Sequence, residues 1–254
     1  SVTETTNQQD ISNLFSQHNL IAIPVVDVER RVVGIVTIDD IMEAISEQVT
    51  EDIQRLGGTE ALAAPYLEVS FWSMVRKRAG WLSILFVGEM FTATAMARYE
   101  SEIAKAVVLA LFIPLVISSG GNSGSQASTL VVRALALGEV RPRQWAKVLG
   151  REIASGLVLG CILGTMGLVR VIAWPQRELV YGAQFVSIGI TLFLSLVGIV
   201  LWGTVMGSML PILLKKLGFD PASASAPFVA TVVDVTGLVI YFNMARMMLS
   251  GTLL

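Results

Sequence analysis

Five long apolar runs in residues 79–254 limit the fold of this chain more than any other feature. They lie at Gly80–Ala97, from Ile103 to about Ser119 or beyond, and at Val148–Trp174, Phe185–Leu214 and Pro227–Leu249. Each reaches or approaches the ~20 residues that a ~30 Å hydrocarbon core requires of a helix. A bilayer core offers the backbone no hydrogen-bond partner, so spans there must satisfy their own amides. Composition agrees. The chain is 54% hydrophobic and 15% charged, where a soluble domain carries about 25% charged residues. Residues 1–78 are polar and hold no run long enough to cross.

Basic residues set the expected orientation, because loops rich in Lys and Arg stay on the cytoplasmic side. Arg76, Lys77 and Arg78 precede the first run. Arg133, Arg141, Arg143, Lys147 and Arg151 cluster between the second and third, and Lys215 and Lys216 follow the fourth. The remaining loops are balanced or poor in basic residues. Five spans with a cytoplasmic N-terminus and an external C-terminus satisfy this alternation.

Several function classes find no support. A net charge of −2 with no basic stripe gives nucleic acid nothing to bind. The single His18 and single Cys161 are far apart in sequence, so zinc-ligand spacing is absent and no disulfide can form within the chain. Cys161 reads as a small buried hydrophobe in an apolar helix. There is no nucleophile–base pattern and no nucleotide loop, which argues against an enzyme. No signal peptide is visible, and the chain opens on Ser1 rather than Met, as a fragment of a longer protein would.

Asp234 stands alone in the fifth run, the only acid after Asp220. An ionisable group at such depth costs about 2.5–3.5 kcal/mol on insertion scales. That cost points to an ion path, or else to a structural carboxylate paired with a Ser, Thr or Arg on a neighbouring helix. Glu89 is a second acid, in the first run; it either pairs with a polar group or lines the same path. Glu100 lies near the expected outer surface, where it can collect cations. Ser118–Thr129, rich in Gly and Ser, is placed at the end of the second run. Its glycines allow close backbone approach, and Asn122 and Gln126 share a helical face at four-residue spacing. A plain small-residue helix contact or a cytoplasmic loop fits it too. Pro114 is expected to bend this span.

The polar part reads as a small α/β module. Asp10–Asn19 is an amphipathic helix, Ile21–Asp27 and Val32–Thr37 are strands around a polar turn, and a helix runs from Asp40 to about Gln48, capped by Asp39 or Thr37. Asp40, Glu43, Glu47 and Glu51 then fall on one face. Like charges so stacked repel, and a divalent cation such as Mg²⁺ or Ca²⁺ would reverse that penalty; an ordinary solvated face is the alternative. Residues 56–66 form a linker, and Ser70–Arg78 an amphipathic helix leading to the membrane.

Ile23–Asp40, with its Pro-Val-Val-Asp strand and Val-Gly-Ile-Val-Thr strand, resembles the second half of a CBS domain. Such domains come in tandem pairs that bind adenosine nucleotides, ATP among them, or metal ions, so a partner copy is expected upstream. Two further motifs, Pro114–Gln126 and Asp220–Asp234, together with the CBS half, the acidic helix and five spans in this order, resemble the MgtE family of magnesium channels. The resemblance covers essentially the whole chain. It implies a homodimer in the bacterial inner membrane, with a pore on the two-fold axis built from the second and fifth spans. It implies that Asp234 binds the permeating Mg²⁺, with Ala230, Asn122 and Gly121 completing contacts to its water shell. It also implies that Asp40, Glu43, Glu51 and Asp52 sense cytosolic Mg²⁺ and close the pore. The expected fold is mainly α, with a CBS-type module at residues 1–50, a connecting helix and linker at 51–78 and a transmembrane pore domain at 79–254. Two positions depart from the family pattern: Ala226 and Ser125 stand where Asn is expected. A secondary carrier coupled to Na⁺ or H⁺ is the main alternative; five spans without an inverted repeat argue against it.

Overall fold

The computed structural model describes residues 1–6, 8–18 and 20–251, with the side chains of Gln8, Gln9, Ser12, Asn13 and Ser16 excepted. The predicted helix end at Asn19 lies outside the described residues. The chain divides into two compact units, Ser1–Ile53 and Gln54–Leu254.

The first unit contains β1 (Val2–Thr3), α1 (Gln8–His18), β2 (Ala22–Val26), β3 (Val32–Thr37) and most of α2 (Ile38–Leu56). The strands form one sheet in the order β1-β2-β3, parallel between β1 and β2 and antiparallel between β2 and β3. Its core is Val2, Ile11, Phe15, Ile23 and Ile41. The β2–β3 turn is tied by the Asp27 carboxylate, which accepts hydrogen bonds from the amides of Glu29 and Arg31, each at 2.8 Å. The short β1 was not expected from sequence; two residues are too few to show alternation, and only pairing with Val25 and Val26 reveals them. Helix α2 does not stop near Gln48. It runs unbroken to Leu56 and carries all four acids of the predicted face.

The second unit contains α3 (Phe71–Arg98), α4 (Glu100–Lys105), a 3-10 turn at Val107–Phe112, α5 (Ile113–Ala136), α6 (Trp145–Ile172), α7 (Arg177–Tyr181), α8 (Phe185–Lys216) and α9 (Ala226–Leu249). Among the described residues, five helical segments are long and apolar enough to cross a membrane: α3, residues 107–136, residues 142–172, α8 and α9. The chain is a multi-pass membrane protein. The predicted helix at Ser70–Arg78 and the first span merge into α3. Ser70 caps it, accepting from the Ser73 amide. Ile103–Ala106 falls outside the second span, which begins at Val107. The Gly/Ser stretch lies in the middle of α5 rather than at its end or in a loop. Pro114 sits in the first turn of α5, where its missing N–H costs nothing, so it starts the α-helix instead of bending it. Cys161 is exposed on the wall of α6, not buried.

Helix α8 is the hub of this unit. It packs against α5 in parallel and against α6 antiparallel, and small residues set both crossings. A Cβ on Gly203 would lie 2.5 Å from the Gly120 carbonyl oxygen, and one on Gly207 would collide with the Gly124 carbonyl. On the other side a Cβ on Gly160 would lie 2.8 Å from the Val197 Cα. Close backbone approach of this kind replaces the hydrophobic driving force that helices lack in lipid.

Candidate functional site

Helix α9 enters the unit through a dense cap. Ser225 is fully buried at its N-cap and accepts from the Phe228 amide at 3.4 Å and from the Trp81 Nε1–H at 3.1 Å. Ser128 donates to the Ala224 carbonyl at 2.7 Å, and Ser125 donates to the Ala226 carbonyl at 3.0 Å. The two departures from the expected Asn pattern therefore meet each other, as side-chain donor and backbone acceptor. Just upstream, Asp220 accepts from the Ala222 amide at 2.9 Å and pairs with Arg55. Gly58 adopts φ +73°, and a Cβ there would lie 2.7 Å from the Trp81 ring, so the linker lies flat against α3.

Among the described residues three helices pack on α9, and of these α5 and α3 are the ones that approach Asp234. Helix α5 runs antiparallel to it, and Gly121 is the point of closest approach. A Cβ on Gly121 would lie 3.2 Å from Asp234 Oδ1 and 3.3 Å from Ala230 Cβ. One glycine of the motif thus faces the acid, while Gly120 and Gly124 face the seam between α8 and α9, against Ile199 and Gly203 on one side and Val229 and Val233 on the other. Helix α3 runs parallel to α9 and is held on it at two points. Trp81 packs on Phe228 with centroids 6.1 Å apart, and Tyr99 stacks on Phe242 at 4.8 Å and accepts from Asn243 at 3.0 Å. Between these contacts a Cβ on Gly88 would lie 2.6 Å from Thr231 Cγ2. This close approach brings the Glu89 carboxyl near enough to Asp234 for the two acids to act on each other.

Asp234 is half-buried, eight residues in from Ala226, or about 12 Å along the helix axis. Among the described residues neither Asp234 nor Glu89 forms an ion pair with a basic side chain. Among the described residues Asp234 has no hydrogen bond or ion pair with a Ser, Thr or Arg, and the titratable group that acts on it is another acid, Glu89.

The other predicted residues divide into near and far. Asn122 is exposed beside Gly121 and donates to Ser118 Oγ at 3.2 Å. Gln126 is exposed one turn further toward the α9 cap. Glu100 is exposed at the start of α4, eleven residues beyond Glu89 and roughly 16 Å along the helix direction, so the structure does not bring it to Asp234. In the first unit Asp40 and Glu43 are exposed and Glu51 and Asp52 are half-buried. The Asp40 carboxylate is engaged in a helix cap. Its Oδ2 accepts from Thr37 Oγ1 at 2.7 Å and from the Thr37 amide at 2.8 Å. The Thr37 side-chain hydrogen bond, then the backbone one, hold this carboxyl below its ordinary range.

No group of three or more His, Cys, Asp or Glu that could hold a metal ion gathers among the described residues. What remains is one or two carboxylates at a place. That donor set suits a hard cation that keeps several of its waters, as Mg²⁺ does, and not a fully dehydrated ion.

Residues 113–244, from α5 into α9, match the sequence model of the MgtE family, described as a divalent cation transporter. The chain belongs to the MgtE family. Residues 1–47 match the CBS domain model. Among curated proteins the chain is 37% identical to the magnesium transporter MgtE of Thermus thermophilus over 97% of its own length and 53% of that protein's. It is 32% identical to the magnesium transporter MgtE of Enterococcus faecalis, covering 95% of this chain and 51% of that one. The corresponding protein of Bacillus subtilis is 30% identical over 94% and 51%. The chain spans about half the length of these relatives. The family so described is one of transporters, not of enzymes.

Proposed function

We propose that this chain is the pore-bearing part of a homodimeric Mg²⁺ channel of the cell membrane, with Asp234 as the ion-binding carboxylate. The observation that carries this reading is Asp234 itself: half-buried in a membrane helix, free of any basic partner among the described residues, and set against the bare backbone of Gly121. Two-fold symmetry places the same residue on both sides of an axis. Helices α5 and α9 from two copies would then face each other across the ion.

Mg²⁺ gives up its first water shell reluctantly, so the ion passes hydrated and is held through its waters. At ~5 Å and an effective dielectric of ~20, one carboxylate attracts a divalent ion by roughly 6–7 kcal/mol before desolvation. A monovalent ion gains half as much. Two such contacts offset the ~2.5–3.5 kcal/mol insertion cost of each acid and favour the divalent ion. Retained water keeps the site weak enough to release it. Asn122, the Gly121 backbone and Ala230 supply the remaining water contacts, and Gln126 lines the approach from the α9 cap. Glu100 gathers cations at the far mouth.

Regulation belongs to the first unit in this reading. Asp40, Glu43, Glu51 and Asp52 sense cytosolic Mg²⁺ through one or two carboxylates and water, and an adenosine nucleotide such as ATP is a second ligand for the CBS fold. The N-terminus is cytoplasmic and the C-terminus external.

The test is Mg²⁺ uptake into liposomes carrying wild-type chain, Asp234→Asn and Asp234→Ala. Both variants lose uptake while remaining dimeric by cross-linking. Unchanged flux through Asp234→Asn removes the residue from its role. Single-channel currents with no Na⁺ or H⁺ requirement separate a channel from a coupled carrier.

A further inference from the structure

The acid beside Asp234 has no place in the scheme above. Glu89 sits on α3, outside residues 113–244 that carry the family match. Two carboxyl groups side by side in a membrane helix pair are costly twice over: each pays for burial, and each opposes its neighbour's charge. Nothing basic offsets them among the described residues. The packing around them is not loose either. The Trp81 and Tyr99 contacts fix α3 on α9 above and below, and the Gly88–Thr231 approach sets the level at which Glu89 meets Asp234. A merely incidental acid would point into the open; α3 has no fully buried residue, and exposed positions lie close by at Val87 and Met90. Instead Glu89 is half-buried and turned toward the one acid of α9.

We propose that Glu89 is a second ion-facing carboxylate that sets the preference for divalent over monovalent cations, acting on the same hydrated ion as Asp234. This rests on the reading that Asp234 faces the ion. Each protomer then presents two acids to the path, and the dimer four. Asp234 lies against α5, so it makes the nearer contact. Glu89, on the far flank of α9, acts mainly through charge at longer range. Charge at a distance attracts a divalent ion twice as strongly as a monovalent one. Removing it therefore lowers selectivity more than it lowers monovalent current.

The experiment is bi-ionic reversal potential in planar bilayers, Mg²⁺ against Na⁺, with the full chain as wild type, Glu89→Gln, Glu89→Asp and Asp234→Asn. Glu89→Gln is expected to lower the Mg²⁺/Na⁺ permeability ratio about tenfold and to raise the half-saturating Mg²⁺ concentration by a similar factor. Glu89→Asp keeps the charge and holds the ratio within about threefold of wild type. A Glu89→Gln ratio equal to wild type, with Asp234→Asn inactive, overturns the role of Glu89 and leaves that of Asp234 standing. Wild-type Mg²⁺ current in Asp234→Asn overturns the reading beneath both. If Glu89→Gln does not assemble, Glu89→Cys in a Cys161→Ser background gives a second route. A sulfonate-bearing thiosulfonate reagent then restores the ratio and a trimethylammonium-bearing one lowers it further; equal responses to the two reagents overturn the proposal.

Discussion

Gly121 shows how one missing methyl group shapes the candidate ion site. Its absent Cβ is what lets the Asp234 Oδ1 and the Ala230 Cβ approach the α5 backbone. An alanine there would lie 3.2 Å from the carboxylate oxygen, close enough to displace it but not to part the helices. Pushing a side chain ~30° off its rotamer costs about 0.5–1.5 kcal/mol, so Gly121→Ala is expected to weaken Mg²⁺ binding roughly 2- to 10-fold with assembly intact. Gly121→Val, with two more carbons, is expected to block flux. Concentration dependence of liposome uptake reads both; an alanine variant with wild-type half-saturation would mean that Asp234 does not depend on this approach. Asp234 stood out as a candidate in the sequence, because a lone acid in an apolar run is costly wherever it points. Its neighbours were not. That Glu89 meets Asp234 depends on α3 running parallel to α9 with Gly88 against Thr231, and no local pattern carries that register. Cys161 likewise read as buried because its surroundings are apolar, yet in lipid an apolar environment does not mean an interior one.

At the scale of helices, the sequence located the apolar runs but misjudged where several begin and how they are used. The Gly/Ser stretch read as a span end or a loop because glycine is about 0.8–1.0 kcal/mol poorer than alanine in an aqueous helix. In a bilayer an unbonded backbone costs several kcal/mol per group, so the helix persists through Gly120, Gly121 and Gly124. Their two faces do different work: Gly120 and Gly124 admit α8 together with Val229 and Val233 of α9, and Gly121 admits Asp234. The merger of the predicted Ser70–Arg78 helix into α3 has the same origin, since Arg76, Lys77 and Arg78 are good helix formers and mark a change of solvent, not of structure. The α5–α8 crossing yields a test. Gly207 faces the Gly124 carbonyl with no room for a side chain, whereas a Cβ on Gly150 in α6 meets nothing within 4 Å. Gly207→Leu is expected to destabilise the unit by about 1–3 kcal/mol or more through overpacking. Gly150→Ala is expected to be neutral or to stabilise by up to about 1 kcal/mol. Thermal unfolding in detergent distinguishes them, and equal melting of the two variants would place the α5–α8 contact elsewhere.

The whole molecule joins an α/β unit to a membrane unit through one helix, α2, whose acidic face lies in the first and whose last turn belongs to the second. Each unit has its own core: Val2, Ile11, Phe15, Ile23 and Ile41 in one, and the buried residues of α5, α8 and α9 in the other. Separate cores allow separate stability, so loss of the first unit need not unfold the second. If the first unit senses Mg²⁺, its removal separates conduction from control. A chain beginning at Gln54 is expected to conduct Mg²⁺ in bilayers and to stay open when Mg²⁺ on the side of the α/β unit is raised, while the full chain closes. Replacing Glu43, Glu51 and Asp52 by their amides in the full chain is expected to act like the truncation, because repulsion among the acids of α2 is what the metal would relieve. Asp40 is left intact in that variant, since its bonds to Thr37 cap the helix and its loss would confuse sensing with unfolding. Equal Mg²⁺ dependence in the full, truncated and amide chains would put the sensor outside α2. Closure retained by the amide chain but lost on truncation would assign it to another part of the first unit.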